Sequence, residues 1–550
     1  MNFRRKIFLA IGVAVFIAAA WGAIELGQRA ATEMAASTAP HSTPPVTSDL
    51  PMAKPRVFSA QETKTFLAAA KRAENIADPL QRCLAYPDPP ASHWSANAVR
   101  AYCQYRYQPN LSWTEVTHLI EHGKATELDQ RLSDALQAQR TQPDAAGRLD
   151  RIFAANFDNG SFAVRSLLDA WKRDSPNSAF AFAASGYAYV AMAQDARGTD
   201  WIRNTQRDNI DAMDRLAAEA DTDLQQAIKL NPQITPVYVA MIHAGGISLG
   251  RAYALHAADA GLKVAPTDFS IYRQFMWLMT PEWGGSLQDM RRLVASGLSH
   301  AAQNPLLLLQ KADVPAYEAN VRDCCDRPVL SQQFGNVFDE VGTDTLMAEA
   351  GTTAARNNLP TVAAVYLSEA LRFNPDRDDE RRLRAKTVIA FGAPEIALSD
   401  ANKLIADEPG NVRDYRVRAY ALVSAGDYQH AVADLQTAIQ LDPNDVWSQS
   451  QLGRIYVYSM ADWDKGWDIS SRLIQDHPDQ PSGWILRASI QKRQPRAGLD
   501  DTLRYFIAHF GNDPKQQGMV NEMRRLQAER AQPASGGVRA AALGRPAPGR

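Results

Sequence analysis

"VRDYRVRAYALVSAGDYQHAVADLQTAIQLDPND", residues 412–445, decides the fold. Two runs with apolar residues at helical spacing flank Gly426-Asp427-Tyr428, and Pro443 follows the second run. Apolar positions recurring at i, i+3 and i+4 mark an amphipathic helix, and Gly-Asp between two such runs marks a turn. A proline disfavours helical backbone at the residue before it, so the second helix ends there. The stretch is therefore a hairpin: helix A, turn, helix B, stop. Ala419, Ala431 and Ala438 let the two helices approach closely, and Tyr415, Leu422 and Leu435 fill the groove that remains.

The same punctuation recurs. Helix B endings fall at Pro232, Pro266, Pro305, Pro375, Pro409, Pro443, Pro478 and Pro514, with spacings of 34, 39, 70, 34, 34, 35 and 36. Seventy is two units, which places one degenerate repeat between Pro305 and Pro375, around Cys324-Cys325. With its helix pair, its turn and its small and large positions at Tyr415, Ala419, Leu422, Ala431, Leu435, Ala438 and Pro443, the unit closely resembles the tetratricopeptide repeat (TPR). That resemblance spans about residues 210–514 and implies units that bury a core only by stacking on their neighbours. The expected fold is all-α: a right-handed α-solenoid of TPR-like helix pairs, preceded by one N-terminal transmembrane helix.

The N-terminal half carries decorated units. Residues 112–140 form a helix pair turning at Gly123. From Pro176 to Pro232 is 56 residues, about 22 more than one repeat, and the surplus is expected as a loop at 194–211, "QDARGTDWIRNTQRDNID". The stretch "TPEWGGSLQDM", 280–290, accounts for the extra residues of the unit ending at Pro305. There Pro281 stops helix A, Gly284-Gly285 permits a reversal, and Ser286 with Asp289 starts helix B. Trp283 is expected to pack on the neighbouring repeat. The pair at 112–140, "SPNSAFAFAASGYAYVAMAQDARG", "LQQAIKLNP" and "LMTPEWGGSLQDM" together resemble DUF4034, a bacterial family of uncharacterised proteins, over roughly 110–310. That resemblance implies the fold and no activity.

The chain has 550 residues and a formal charge of −2, so no bulk nucleic-acid binder is expected. "MNFRRK" precedes an uncharged apolar run at 7–24, close to the ~20 residues that cross a bilayer. The run is longer than the apolar region of a cleaved signal peptide and lacks a clear cleavage site, so an uncleaved signal anchor is expected. Residues 1–6 would form a cytoplasmic basic stub, and the rest of the chain would face the periplasm from the bacterial inner membrane. Residues 25–56 are rich in Ala, Ser, Thr and Pro and read as a disordered linker, and 531–550 as a disordered tail. Between them we expect a DUF4034-like helical domain at 57–310 and a C-terminal TPR domain at 311–530.

Four cysteines in an oxidising compartment permit three pairings. A Cys83–Cys103 bridge would close a Pro-rich loop, whereas Cys324-Cys325 are adjacent, and a vicinal bridge is strained. No cysteine or histidine set has zinc-finger spacing, so no metal and no cofactor is expected. "HLIEH", 118–122, matches the inverted zinc-protease signature. His122 nevertheless precedes the helix-ending Gly123, where a histidine meets the helix dipole favourably, and no distant acid offers a third ligand. "GGISLG", 245–250, has neither a strand before it nor a Lys-Ser/Thr after it, and reads as a turn. No catalytic residues are assigned.

The TPR resemblance implies a peptide-binding groove lined by helix A side chains. Here those are Arg382, Lys386, Arg413, Arg416, Tyr420 and Arg454, a set suited to an acidic segment or a chain terminus. A membrane-anchored scaffold that binds proteins or peptides is the expected function. The alternative is an enzyme or small-molecule binder whose 194–211 and 280–290 loops close a pocket with Arg197, Asp200, Trp201, Glu282 and Trp283. Convergence of both loops on one cleft with a buried acid or arginine would favour that alternative.

Overall fold

The hairpin at 412–445 is built from the helices Val412–Ser424 and Tyr428–Leu441. Gly426 makes the turn at φ 79°, a left-handed conformation that a β-carbon would disfavour. Asp427 then caps the second helix by accepting from the His430 amide. Ala431, Leu435 and Ala438 are fully buried, each apolar side chain of leucine size contributing roughly 1.5–3 kcal/mol.

These elements belong to the computed structural model of the chain, which describes residues 54–531, Pro495 excepted. The apolar run at 7–24 and the tail at 532–550 lie outside the described residues, as does nearly all of the 25–56 linker. Among the described residues every regular element is helical, and no helix is long and apolar enough to cross a membrane.

The chain divides into two compact units, each drawn from separate stretches of sequence. One comprises Arg72–Thr353 with residues 54–58 and Arg372–Asn374, the other residues 375–531 with Ser59–Lys71 and Ala354–Leu371. In the second unit hairpins follow one another: Asp378–Ile389 with Pro394–Asp407, the 412–441 pair, Val446–Arg454 with Trp463–Asp476, and Pro481–Arg493 with Leu499–Phe510. The helix Gln517–Ala531 follows. Their cores are shared: Leu435 of one hairpin packs in a single cluster with Leu452, Ile469 and Leu473 of the next and Leu486 and Ile490 of the third. A repeat that borrows half its core from its neighbour has no stability of its own.

The first unit holds the pairs Trp113–Glu121 with Ala125–Thr141, Ala179–Arg197 with Arg207–Leu230, Thr235–Ala244 with Arg251–Val264, and Phe269–Met279 with Leu287–Leu298. Here the sequence expectation needs one correction. The surplus before Pro232 is mostly helix, because the Ala-rich first helix runs to Arg197 and its partner starts at Arg207. Only 198–206 is loop, with a short turn at Ile202–Asn204. The degenerate repeat after Pro305 is a run of short helical turns, Pro305–Ala312, Asp313–Glu318 and Phe334–Val337, and longer helices resume with Asp344–Arg356 and Pro360–Phe373.

Near the start of this unit Cys83 and Cys103 are joined by a disulfide (S–S 2.04 Å) that links the helices Pro79–Ala85 and Ala96–Tyr107. Arg372 reaches the same place from far along the chain. Its Nε donates to the Cys83 carbonyl and its Nη1 to Asp88, each at 2.8 Å, while Phe373 lies against Trp94 and Tyr102.

Candidate functional site: the helix A face of the C-terminal repeats

A 34-residue step superposes helix A positions in sequence. Asp379, Arg413 and Trp447 form one series, Arg382, Arg416 and Ser450 a second, and Lys386, Tyr420 and Arg454 a third. Side chains three and four apart share one helix face, so the three series lie side by side on it.

The middle series does structural work. Arg382 forks onto Asp414 through Nε and Nη2 and also donates to Asp379 at 2.8 Å. Arg416 likewise holds Asp445, with Nε 2.7 Å from Oδ2. Asp414 and Asp445 are buried and sit at the beginning of the next A helix, where Asp445 also caps by accepting from the Ser448 amide at 3.0 Å. Burial pushes the Asp445 carboxyl up, but hydrogen bonds from Arg416 and Ser448 more than offset it and leave it below its ordinary range. Each of these arginines therefore ties one repeat to the next.

A second ladder locks A to B within a repeat. Arg384 grips Asp400 through Nε (2.8 Å) and Nη2 (2.6 Å), and Arg418 grips Asp434 in the same way at 2.8 and 2.7 Å. These pairs were missed in the sequence. Their signal is that both members recur after 34 residues, Arg384 to Arg418 and Asp400 to Asp434.

The outer series remain available. Lys386, Arg413 and Arg454 are exposed, and among the described residues none of them forms an ion pair. Tyr420 is 49% exposed, joined by Trp447 at 40% and Tyr458 at 44%. Trp447 lies 5.6 Å from the Arg416 guanidinium, and Tyr458 lies between Arg454 and Arg493, at 5.9 and 5.2 Å. Large exposed aromatics interleaved with unpaired cations suit a ligand that offers both carboxylates and apolar side chains. Sequence analysis omitted Trp447 and Tyr458, although Trp447 stands one repeat beyond Arg413.

The 194–211 and 280–290 segments do meet, but over side chains. Trp283 packs on Trp277 with ring centroids 4.0 Å apart, in a cluster with Ala193, Met213, Ala217, Ile247 and Ile202. Arg197 lies 5.8 Å over Trp283, whereas Asp200 and Trp201 point to solvent. Arg251 fixes the turn by donating to the Leu278 and Trp283 carbonyls, both at 2.6 Å. Gly285 passes so close to Met279 that any β-carbon would strike its carbonyl. His243, beside Trp277, is pushed down to about 4 by burial and by Arg197, so it stays neutral near pH 7.

In "HLIEH" both histidines are exposed with rings 4.1 Å apart, and the His122 amide caps the helix on the His118 carbonyl. "GGISLG" opens with a wide helical turn, Gly245–Leu249, and reverses at Gly250 with φ 94°.

The TPR repeat family matches residues 419–457, and the domain of unknown function DUF4034 matches residues 224–307. The repeat match falls on the second hairpin of the C-terminal unit and the first helix of the next. The DUF4034 match is narrower than the 110–310 expected and takes in the hairpin that turns at "GGISLG" and the one that follows it. Among curated proteins the chain is 34% identical over 92 residues to a DnaJ homolog subfamily C member 7 homolog of Schizosaccharomyces pombe, covering 16% of this chain and 19% of that protein. It is 26% identical over 115 residues to the human FK506-binding protein-like protein, covering 20% and 33% respectively. The match thus spans between a fifth and a third of these relatives' length. Similar solved structures include YrrB, described as a TPR protein with an unusual peptide-binding site (14% identity, 41% of this chain and 95% of that one, TM-score 0.24). Yeast Tom70 is another (10% identity, 86% and 98%, TM-score 0.28).

Proposed function

We propose that this protein is a scaffold, tethered to the bacterial inner membrane by residues 7–24 and facing the periplasm, that captures an acidic protein or peptide on the helix A face of its C-terminal repeats. TPR repeats support protein binding as the general activity. The observation that carries the finer assignment is the division of labour among the arginines. Arg382 and Arg416 are consumed by buried aspartates, while Lys386, Arg413 and Arg454 form no ion pair among the described residues and Tyr420, Trp447 and Tyr458 are exposed on the same repeats. Exposed cations and large apolar rings on one helix face suit recognition of an acidic, partly apolar segment. Tethering at the membrane raises local concentration, so a modest groove affinity suffices.

The test is crosslinking and capture from intact membranes with the chain and with a Lys386→Glu/Arg413→Glu/Arg454→Glu variant. Capture should fall at least tenfold in the variant with unchanged helicity, and undiminished capture would remove this face from consideration. Alkaline extraction of membranes, with mass spectrometry of the mature N-terminus, checks the anchor. An N-terminus beyond residue 24 in a freely extractable protein refutes it.

A further inference from the structure

We infer that Glu282, Cys324 and Cys325 form a binding site for a thiophilic divalent cation of the zinc class. The carboxylate oxygen and the two Sγ atoms lie within 4.8 Å of one another, although Glu282 comes from the turn Pro281–Trp283 and the cysteines from the loop after Asp313–Glu318. Two thiolates bound to a tetrahedral zinc at about 2.3 Å stand about 3.8 Å apart.

The surroundings are arranged as a metal site's outer shell is. The Tyr317 hydroxyl donates to Glu282 Oε1 at 2.8 Å and so orients the carboxylate. Asn320, 1% exposed, accepts from the Cys324 amide and donates to the Arg327 carbonyl, which holds the cysteine loop from both sides. Asn320, Asp323, Cys325 and Asp326 all have φ between 51° and 71°, a conformation that residues with a β-carbon avoid unless their surroundings impose it.

The charge count also closes. A 2+ ion with two thiolates and one carboxylate carries −1, and Arg327 supplies the compensating charge. Its Nη2 lies 3.9 Å from Glu282 Oε1 and its guanidinium 4.1 Å over the Tyr317 ring. Binding forms two metal–sulfur bonds and one metal–oxygen bond, breaks two S–H bonds and releases two protons to solvent. The third ligand was invisible to spacing rules because it lies one hairpin upstream of the cysteine pair.

The experiment titrates the purified full chain, its Cys83–Cys103 bridge intact and Cys324-Cys325 reduced, with Zn²⁺ against a chromophoric chelator and separately with Cd²⁺. One equivalent should bind, with sulfur-to-cadmium charge-transfer absorption in the ultraviolet. That absorption should be lost in Cys324→Ser/Cys325→Ser, and Glu282→Gln should bind about 10–100-fold more weakly. A readout needing no variant is alkylation of Cys324 and Cys325, which stoichiometric Zn²⁺ should slow at least tenfold. The proposal is overturned if the wild-type chain shows no stoichiometric charge-transfer absorption. It is equally overturned if the double serine variant binds as tightly, or if Zn²⁺ leaves alkylation, or oxidation to a vicinal disulfide, unchanged.

Discussion

At the scale of single residues, the buried ion pairs set the largest expected penalties. Arg381 and Arg384 both donate to Asp400, and all three side chains are buried. Asp400→Ala removes the carboxylate that both buried guanidinium groups share, and removing one partner of a buried pair costs about 3–5 kcal/mol. A fall in the denaturant midpoint of the C-terminal repeats checks this. A second residue-scale effect depends on pH. Asp150 and Asp268 are buried side by side, bridged by Gln139, whose Nε2 lies 2.8 Å from Asp150 and 3.2 Å from Asp268. Burial and the Asp268 charge push the Asp150 carboxyl well up, and burial also raises Asp268. The folded protein therefore keeps a proton that the unfolded chain releases near pH 4. Folded-state advantage is full below that value and declines as pH rises toward the raised one. Thermal melts between pH 5 and 8 should show this slope reduced in Asp150→Asn, whose amide keeps a donor toward Asp268.

At the scale of the helix and the turn, neighbouring arginines of one face part company. Arg416→Glu places two carboxylates against each other at the Asp445 cap and should lower the melting temperature markedly, whereas Arg413→Glu, exposed and unpaired, should leave it within about a degree. If both shift it equally, the division between repeat-locking and free cations is wrong. Likewise Gly285→Ala forces the turn away from the Met279 carbonyl and should destabilise by about 2 kcal/mol or more, read as a drop in the unfolding midpoint. Much at this scale was legible in the sequence. Glycine and proline fix local backbone directly, so the Gly426 turn, the stop before Pro443 and the Ser286 cap on the Asp289 amide could be read without a structure. The 198–206 loop was misjudged because surplus length does not say whether it extends a loop or its flanking helices. The pairing of Arg382 and Arg416 was hidden because a charge on a helix face looks the same in sequence whether solvent or a buried aspartate receives it.

At the scale of the whole molecule, stability in the C-terminal unit is a matter of neighbours. Leu435, Leu473 and Ile490 share one cluster, while the helix Gln517–Ala531 has, among the described residues, a partner on one side alone. Hydrogen exchange should therefore be slowest within 412–473 and fastest at 517–531, a gradient that uniform global opening would not give. The repeat period exposed this order in advance. It could not reveal that each unit is assembled from separated stretches, because discontinuity leaves no periodic trace. One such stretch has a temporal consequence. Arg372 completes the surroundings of Cys83 and Asp88, so the disulfide loop cannot reach its final packing until nearly three hundred further residues have been synthesised. During that interval Cys83 and Cys103 must find each other, or be held apart from Cys324 and Cys325, without the arginine that later seals the loop. Maturation of this chain is therefore paced by its middle, and a ribosome stalled before residue 372 would display a first unit that is made but still unfinished.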